Sequence, residues 1–114
     1  MAVCITLCGT VTKADGMNPN TFRKIQRLQN GESFLTREPG NSMLPLYKSN
    51  EIHRVTPISW EKCKVGDVVF CKVKGSCYTH KVYAVDDKKE CLIGNNKGHM
   101  NGWTKNVYGL AHKL

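Results

Sequence analysis

No stretch of the sequence approaches the about 20 consecutive apolar residues that a membrane-spanning helix needs. The apolar stretch near the start, Ala2 to Val11, is short, contains Thr6 and Thr10 and has no basic residue ahead of it, so it lacks the layout of a secretory signal. A lipoprotein reading of Leu7-Cys8 fails for the same missing basic flank. These absences point to a cytoplasmic protein without a membrane span, whose thiols stay reduced. There are six cysteines but no C-x-x-C pair. The spacings Cys4 to Cys8, Cys63 to Cys71 and Cys71 to Cys77 fit buried free thiols better than a zinc site, and no metal or other cofactor is expected. Acidic residues are scarce, 9 against 17 basic ones for a net charge of +8, a balance that would attract nucleic acid, anionic lipid or an acidic protein. No block of five like charges occurs. Lys62, Lys64, Lys72, Lys74, Lys81, Lys88 and Lys89 are interleaved with strand-forming residues and read as solvated strand faces and turns. Internal repeats, low-complexity tracts and Pro/Ser-rich linkers are also missing, so no domain boundary is visible.

What is present is enough for one globular domain, residues 1–114, with an apolar fraction of 40% and a length that buries about two thirds of the unfolded surface. The chain divides into a strand and helix region, 1–38, and a strand-rich core, 39–114. Val3, Ile5, Leu7, Gly9 and Val11 alternate, and predict a strand over residues 3 to 12. Asn18 reads as a helix N-cap with Pro19 at the first helical position. They open a short basic helix through Phe22, Ile25 and Leu28 that stops near Asn30-Gly31. From Ser33 onward the pattern is strand and turn: 33 to 37, 51 to 57, 67 to 74, 77 to 85 and 90 to 94. Pro39-Gly40, Gly66-Asp67, Lys74-Gly75-Ser76 and Asp86-Asp87 supply the turns. The expected fold is mostly β, an α+β domain with antiparallel strands and one short N-terminal helix, in which 67 to 74 and 77 to 85 form a hairpin.

The segment Gly40-Asn41-Ser42-Met43-Leu44-Pro45 matches a G-x-S-M-x-P box, and three further features follow in order: Gly66-Asp67-Val68-Val69-Phe70, His80-Lys81-Val82, and Gly94-Asn95-Asn96. Over roughly its last 75 residues the chain thus resembles the serine peptidases of the type I signal peptidase and LexA-like families. The resemblance implies their coiled antiparallel β-sheet, with Ser42 as nucleophile and Ser42 and Met43 at the oxyanion and substrate position. The general base is lysine in bacterial signal peptidases and LexA-like proteins, and histidine in archaeal and endoplasmic-reticulum signal peptidases. In the family's register His80 stands at the base position and Lys81 at the basic residue that follows, so His80 is the first candidate and Lys81 the alternative. An ordinary imidazole accepts a proton at neutral pH, whereas a lysine needs burial to do so. Histidine-type relatives orient the base with an aspartate near the G-D-N-N turn. Here the turn reads Gly94-Asn95-Asn96 with no acid after it, so Asn95, Asn96 or Asn101 would serve, unless Asp67 or Asp86 approaches from elsewhere.

LexA-like relatives cut their own chain at an Ala-Gly or Cys-Gly bond a few tens of residues before the serine, and Cys8-Gly9 stands at that separation. Self-cleavage is therefore one expectation. Hydrolysis of a separate, cytoplasmic polypeptide is another, and the small basic chain suits a phage or mobile-element protein acting in a host cytoplasm. The competing reading is a catalytically silent scaffold of the same fold that binds an acidic host protein or nucleic acid. His53, His99 and His112 read as surface or turn residues and Trp60 and Trp103 as core or edge packing. The run Gly98 to Trp103 is a suspected recognition loop.

Overall fold

A computed structural model of the chain describes residues 19–38, 40, 43, 44, 46–87 and 90–114. The strand expected over 3 to 12, the Asn18 cap, Ser42 and the Cys8-Gly9 bond lie outside these residues. Helix α1, Pro19–Gln29, begins at the proline that the sequence marks as its first residue. It ends where Gly31 N–H reaches Leu28 O and Glu32 N–H reaches Arg27 O, the paired closure of a Schellman turn. Its apolar face, Ile25 and Leu28, is buried against Phe34, Val55, Phe70 and Tyr108.

Seven strands follow: β1 (Phe34–Thr36), β2 (His53–Pro57), β3 (Val68–Val73), β4 (Ser76–Val85), β5 (Cys91–Gly94), β6 (Met100–Thr104) and β7 (Val107–Lys113). Among the described residues they form one sheet in the order β1-β2-β7-β3-β4-β5-β6, with every neighbouring pair antiparallel. The described residues are thus mostly β with one α-helix. The expected hairpin is β3–β4, in register from Val73↔Ser76 to Val68↔Lys81 around the two-residue turn Lys74-Gly75, both with positive φ, the geometry that matches strand twist. A single 3-10 turn, Trp60–Lys62, leads from β2 towards β3.

β3 lies inside the sheet and is buried on both faces, which explains why Val68-Val69-Phe70-Cys71 is a continuous apolar run rather than an alternation. Val69, Cys71 and Val73 join Val82, Cys91, Ile93 and Val107 in one core cluster, while Phe70 belongs to the cluster under α1. The four described cysteines, Cys63, Cys71, Cys77 and Cys91, are free thiols, and burial pushes Cys63 up to about 12, so it stays protonated at neutral pH. Register shifts occur between β3 and β7, β4 and β5, and β5 and β6. Such bulges bend the strands that carry them and sharpen their twist.

Two sequence readings are corrected. The run Gly98 to Trp103, expected as a loop, supplies β6, a strand paired with β5. His53, expected at the surface, is 3% exposed because it points inward from β2. β7 was not expected at all, although it sits between β2 and β3. Trp60 packs against the core, whereas Trp103 is 43% exposed. Among the described residues no helix is long and apolar enough to cross a membrane.

Candidate active site

The described residues of the G-x-S-M-x-P segment and its flanks are tied by hydrogen bonds. Gly40 N–H donates to Ser49 Oγ at 3.0 Å, Asn50 N–H to Glu38 O at 2.7 Å, and Tyr47 N–H to Met43 O at 2.9 Å. Met43 is buried, packed with Tyr47 and Val68 and against Ala111. Leu44 O accepts from Asn96 Nδ2 at 3.0 Å, which ties the box to the Gly94-Asn95-Asn96 turn across 52 positions. Two of the four sequence features are therefore joined by a direct hydrogen bond.

His80 stands on β4 opposite Val69 and is 7% exposed. Its Nδ1 lies 2.7 Å from Asn101 Oδ1. A carbonyl oxygen can only accept, so the ring donates from Nδ1 and its Nε2 carries the lone pair. Tyr78, two residues back on the same face, stacks on the imidazole at 4.7 Å and 22°. Burial holds the ring below the ordinary 6.5, partly offset by the Asn101 hydrogen bond and by the Glu38 carboxylate, with His99 pressing the same way as burial. The imidazole is accordingly neutral at pH 7 and presents a fixed tautomer.

The register of the sheet explains how Asn101 gets there. Ile93 pairs with Gly102 and Gly94 with Met100, which leaves Asn101 as the extra residue of a bulge in β6. A bulge re-aims the side chain it carries. Gly102 supports the bend with φ +138°, a value that residues with a Cβ rarely adopt. Of the three asparagines considered from sequence, Asn101 meets His80. Asn95 Oδ1 instead accepts from Lys97 N–H at 2.8 Å and His99 N–H at 3.0 Å, closing its own turn, and Asn96 holds Leu44. Asp67 Oδ2 accepts from Lys64 N–H at 2.9 Å, a local turn contact remote in role from the histidine.

Lys81 projects from the opposite face of β4, as strand alternation requires. Its Nζ lies 5.4 Å from the centre of the Tyr83 ring, and its cross-strand neighbour Val68 packs on Met43. Tyr83 in turn donates to Asn95 O. The two adjacent basic residues thus occupy different environments, His80 beside Asn101 and Lys81 on the Met43 side of the sheet.

Beside Met43 lies a cavity of about 40 Å³ lined by residues that include Gly40, Tyr47, His53 and Thr79. His53 donates Nδ1–H to Glu51 O at 3.1 Å and meets the edge of Tyr47 at 5.2 Å. Its Nε2 and Thr79 Oγ1 are buried with no hydrogen-bond partner among the described residues. The cavity has room for about one water or one small side chain. Sequence reasoning missed His53 because alternation within a five-residue strand does not say which face is inside. Among the described residues no three His, Cys, Asp or Glu side chains converge as a metal site requires.

Comparison of the chain with protein-family models, curated proteins and solved structures gave no match.

Proposed function

We propose that this chain hydrolyses peptide bonds with Ser42 as nucleophile and His80 as general base, on a sheet of the signal peptidase and LexA-like type. The observation that carries the choice of His80 is its pairing through Nδ1 with Asn101; Lys81, on the Met43 side of the sheet, is the competing base, because Met43 adjoins Ser42. A buried imidazole whose Nδ1 proton is anchored offers Nε2 as the base, the same division of labour found where an amide orients histidine in Cys-His-Asn enzymes. The ordered G-x-S-M-x-P, G-D-V-V and G-N-N segments support it, and the Asn96 to Leu44 bond joins the first of them to the last.

In this mechanism Ser42 Oγ attacks the scissile carbonyl while its proton passes to His80 Nε2. The backbone N–H of Ser42 donates to the oxyanion. The C–N bond then breaks, the leaving amine takes the proton from His80, and an acyl-enzyme remains on Ser42. Water attacks the ester, gives its proton to Nε2, and Ser42 Oγ recovers that proton as the acid product leaves. The cavity of about 40 Å³ beside Met43 is the candidate subsite of this reading, with room for a small side chain beside His53 Nε2 and Thr79 Oγ1. Self-cleavage at Cys8-Gly9 is the intramolecular version of the same reaction.

The test is covalent labelling with a serine-directed fluorophosphonate together with mass analysis of the protein and of a mixed peptide library after prolonged incubation at pH 7 to 10. Labelling of Ser42, cleavage products, and their loss in Ser42→Ala are expected, and a fragment starting at Gly9 identifies self-cleavage. His80→Gln should lower turnover by about 10³-fold or more and Lys81→Gln by far less. The reverse ranking makes Lys81 the base. An unlabelled Ser42 with no product in any condition sinks the peptidase reading and leaves the silent scaffold.

A further inference from the structure

Helix α1 and strand β1 enclose an open groove of about 520 Å³, lined by Asn20, Arg23, Lys24, Arg27, Leu35, Thr36, Arg37 and Ile52. Four of these residues are cations and none is acidic. Glu38 lies 3.7 Å from Lys24 and Glu32 3.0 Å from Arg27, so two of the cations are partly neutralised from outside the groove. Arg23 and Arg37 are exposed, and neither pairs with a carboxylate among the described residues. Arg23 donates to the amide oxygen of Asn20 at 3.2 Å.

Between these charges sit two exposed aliphatic side chains, Leu35 at 53% and Ile52 at 41%. Exposed apolar groups ringed by like charge form a surface that water and simple counter-ions satisfy poorly. We infer that this groove is a docking surface for an acidic polypeptide segment of another protein, its carboxylates meeting Arg23 and Arg37 and its aliphatic side chains covering Leu35 and Ile52.

The lining chooses between nucleic acid and an acidic protein, two of the anionic partners that a charge of +8 attracts. Single-stranded nucleic acid is held by aromatic side chains that stack on bases as well as by cations, and among the described residues no aromatic one lines the groove. Aliphatic residues beside planar guanidinium forks suit carboxylates flanked by leucine or valine, because a guanidinium engages a carboxylate through two parallel hydrogen bonds. The protein's own residues 1–18 are a poor occupant on charge grounds, since Lys13 and Asp15 are their only charged side chains. The inference stands independently of the peptidase reading, because no residue of the groove is assigned a part in catalysis.

Fluorescence anisotropy of the full chain with three labelled probes decides it: a short peptide alternating glutamate and leucine, its glutamine-for-glutamate counterpart, and a single-stranded oligonucleotide of similar length. The acidic peptide should bind tightest, more weakly as salt rises. Its affinity should fall about tenfold or more in the double variant Arg23→Ala, Arg37→Ala, while Lys62→Ala, Lys105→Ala and Ser42→Ala bind as the parent does. Retained binding by Ser42→Ala separates this surface from the proposed active site. Binding of the oligonucleotide above the acidic peptide, equal binding of the glutamine peptide, indifference to the Arg23 and Arg37 substitutions, or no binding of the acidic peptide each overturns the inference.

Discussion

His80 carries two separable effects of burial. Its folded-state pKa is held below the ordinary 6.5, so the unfolded chain takes up the proton first as pH falls. Stability present at neutral pH is therefore lost progressively as pH drops from about 6.5 towards the folded value. His80→Gln should flatten that part of the profile, read as urea midpoints between pH 7.5 and 5; an unchanged slope would assign the dependence to other groups. The Asn101 hydrogen bond raises the His80 pKa, so under the proposed peptidase mechanism Asn101→Ala should move the acid limb of kcat/KM to lower pH while reducing the plateau by about 10² to 10⁴. Asn101→Asp should move the limb to higher pH, because a carboxylate favours the imidazolium. Activity loss without either displacement would reduce Asn101 to a packing role. From sequence Asn101 was one of three equivalent asparagines, since the bulge that turns it towards β4 depends on the β5–β6 register.

At the scale of elements, β7 is the strand that joins the two halves of the sheet, and Gly109 shows how closely it is packed. A Cβ at this position would stand 2.4 Å from Val55 Cγ1 and 2.9 Å from Leu28 Cδ1. Helix α1 can therefore lie on the sheet only where β7 has no side chain. Gly109→Ala should cost about 1 to 3 kcal/mol, visible as a lower denaturant midpoint with α1 displaced, whereas a change below about 0.5 kcal/mol would mean that the helix shifts freely. The same glycine hid β7 in the sequence, because it breaks an already short apolar run and glycine weakens a strand signal. By contrast α1 and the β3–β4 hairpin were legible, the first from Pro19 and the spacing of Ile25 and Leu28, the second from Lys74-Gly75 between two apolar runs. Both are local structures whose stop signals lie within the segment.

For the molecule as a whole, the Asn96 to Leu44 contact is what attaches the loop after β1 to the turn after β5. Asn96→Ala removes the donor to a half-buried carbonyl and should cost about 1 kcal/mol. It should also raise amide exchange in residues 43 to 50 while leaving α1 protected. Equal acceleration everywhere would mean that the contact contributes only to global stability. The kind of partner suggested by the net charge is likewise a whole-molecule matter. A count of lysines and arginines does not say where they converge, and the fold brings Arg23, Lys24, Arg27 and Arg37 to one groove.

By itself the sequence determined that the chain builds a mostly antiparallel β domain with one short helix, where its central hairpin turns, and which four segments carry the peptidase resemblance. Period, turn chemistry and motif order are local properties, written in neighbouring residues. Only the tertiary structure decided that Asn101 meets His80, that His53 faces inward, that β6 and β7 complete the sheet, and that His80 and Lys81 serve different faces. Each of these depends on strand register, where a shift of one residue exchanges the inside of a sheet for its outside.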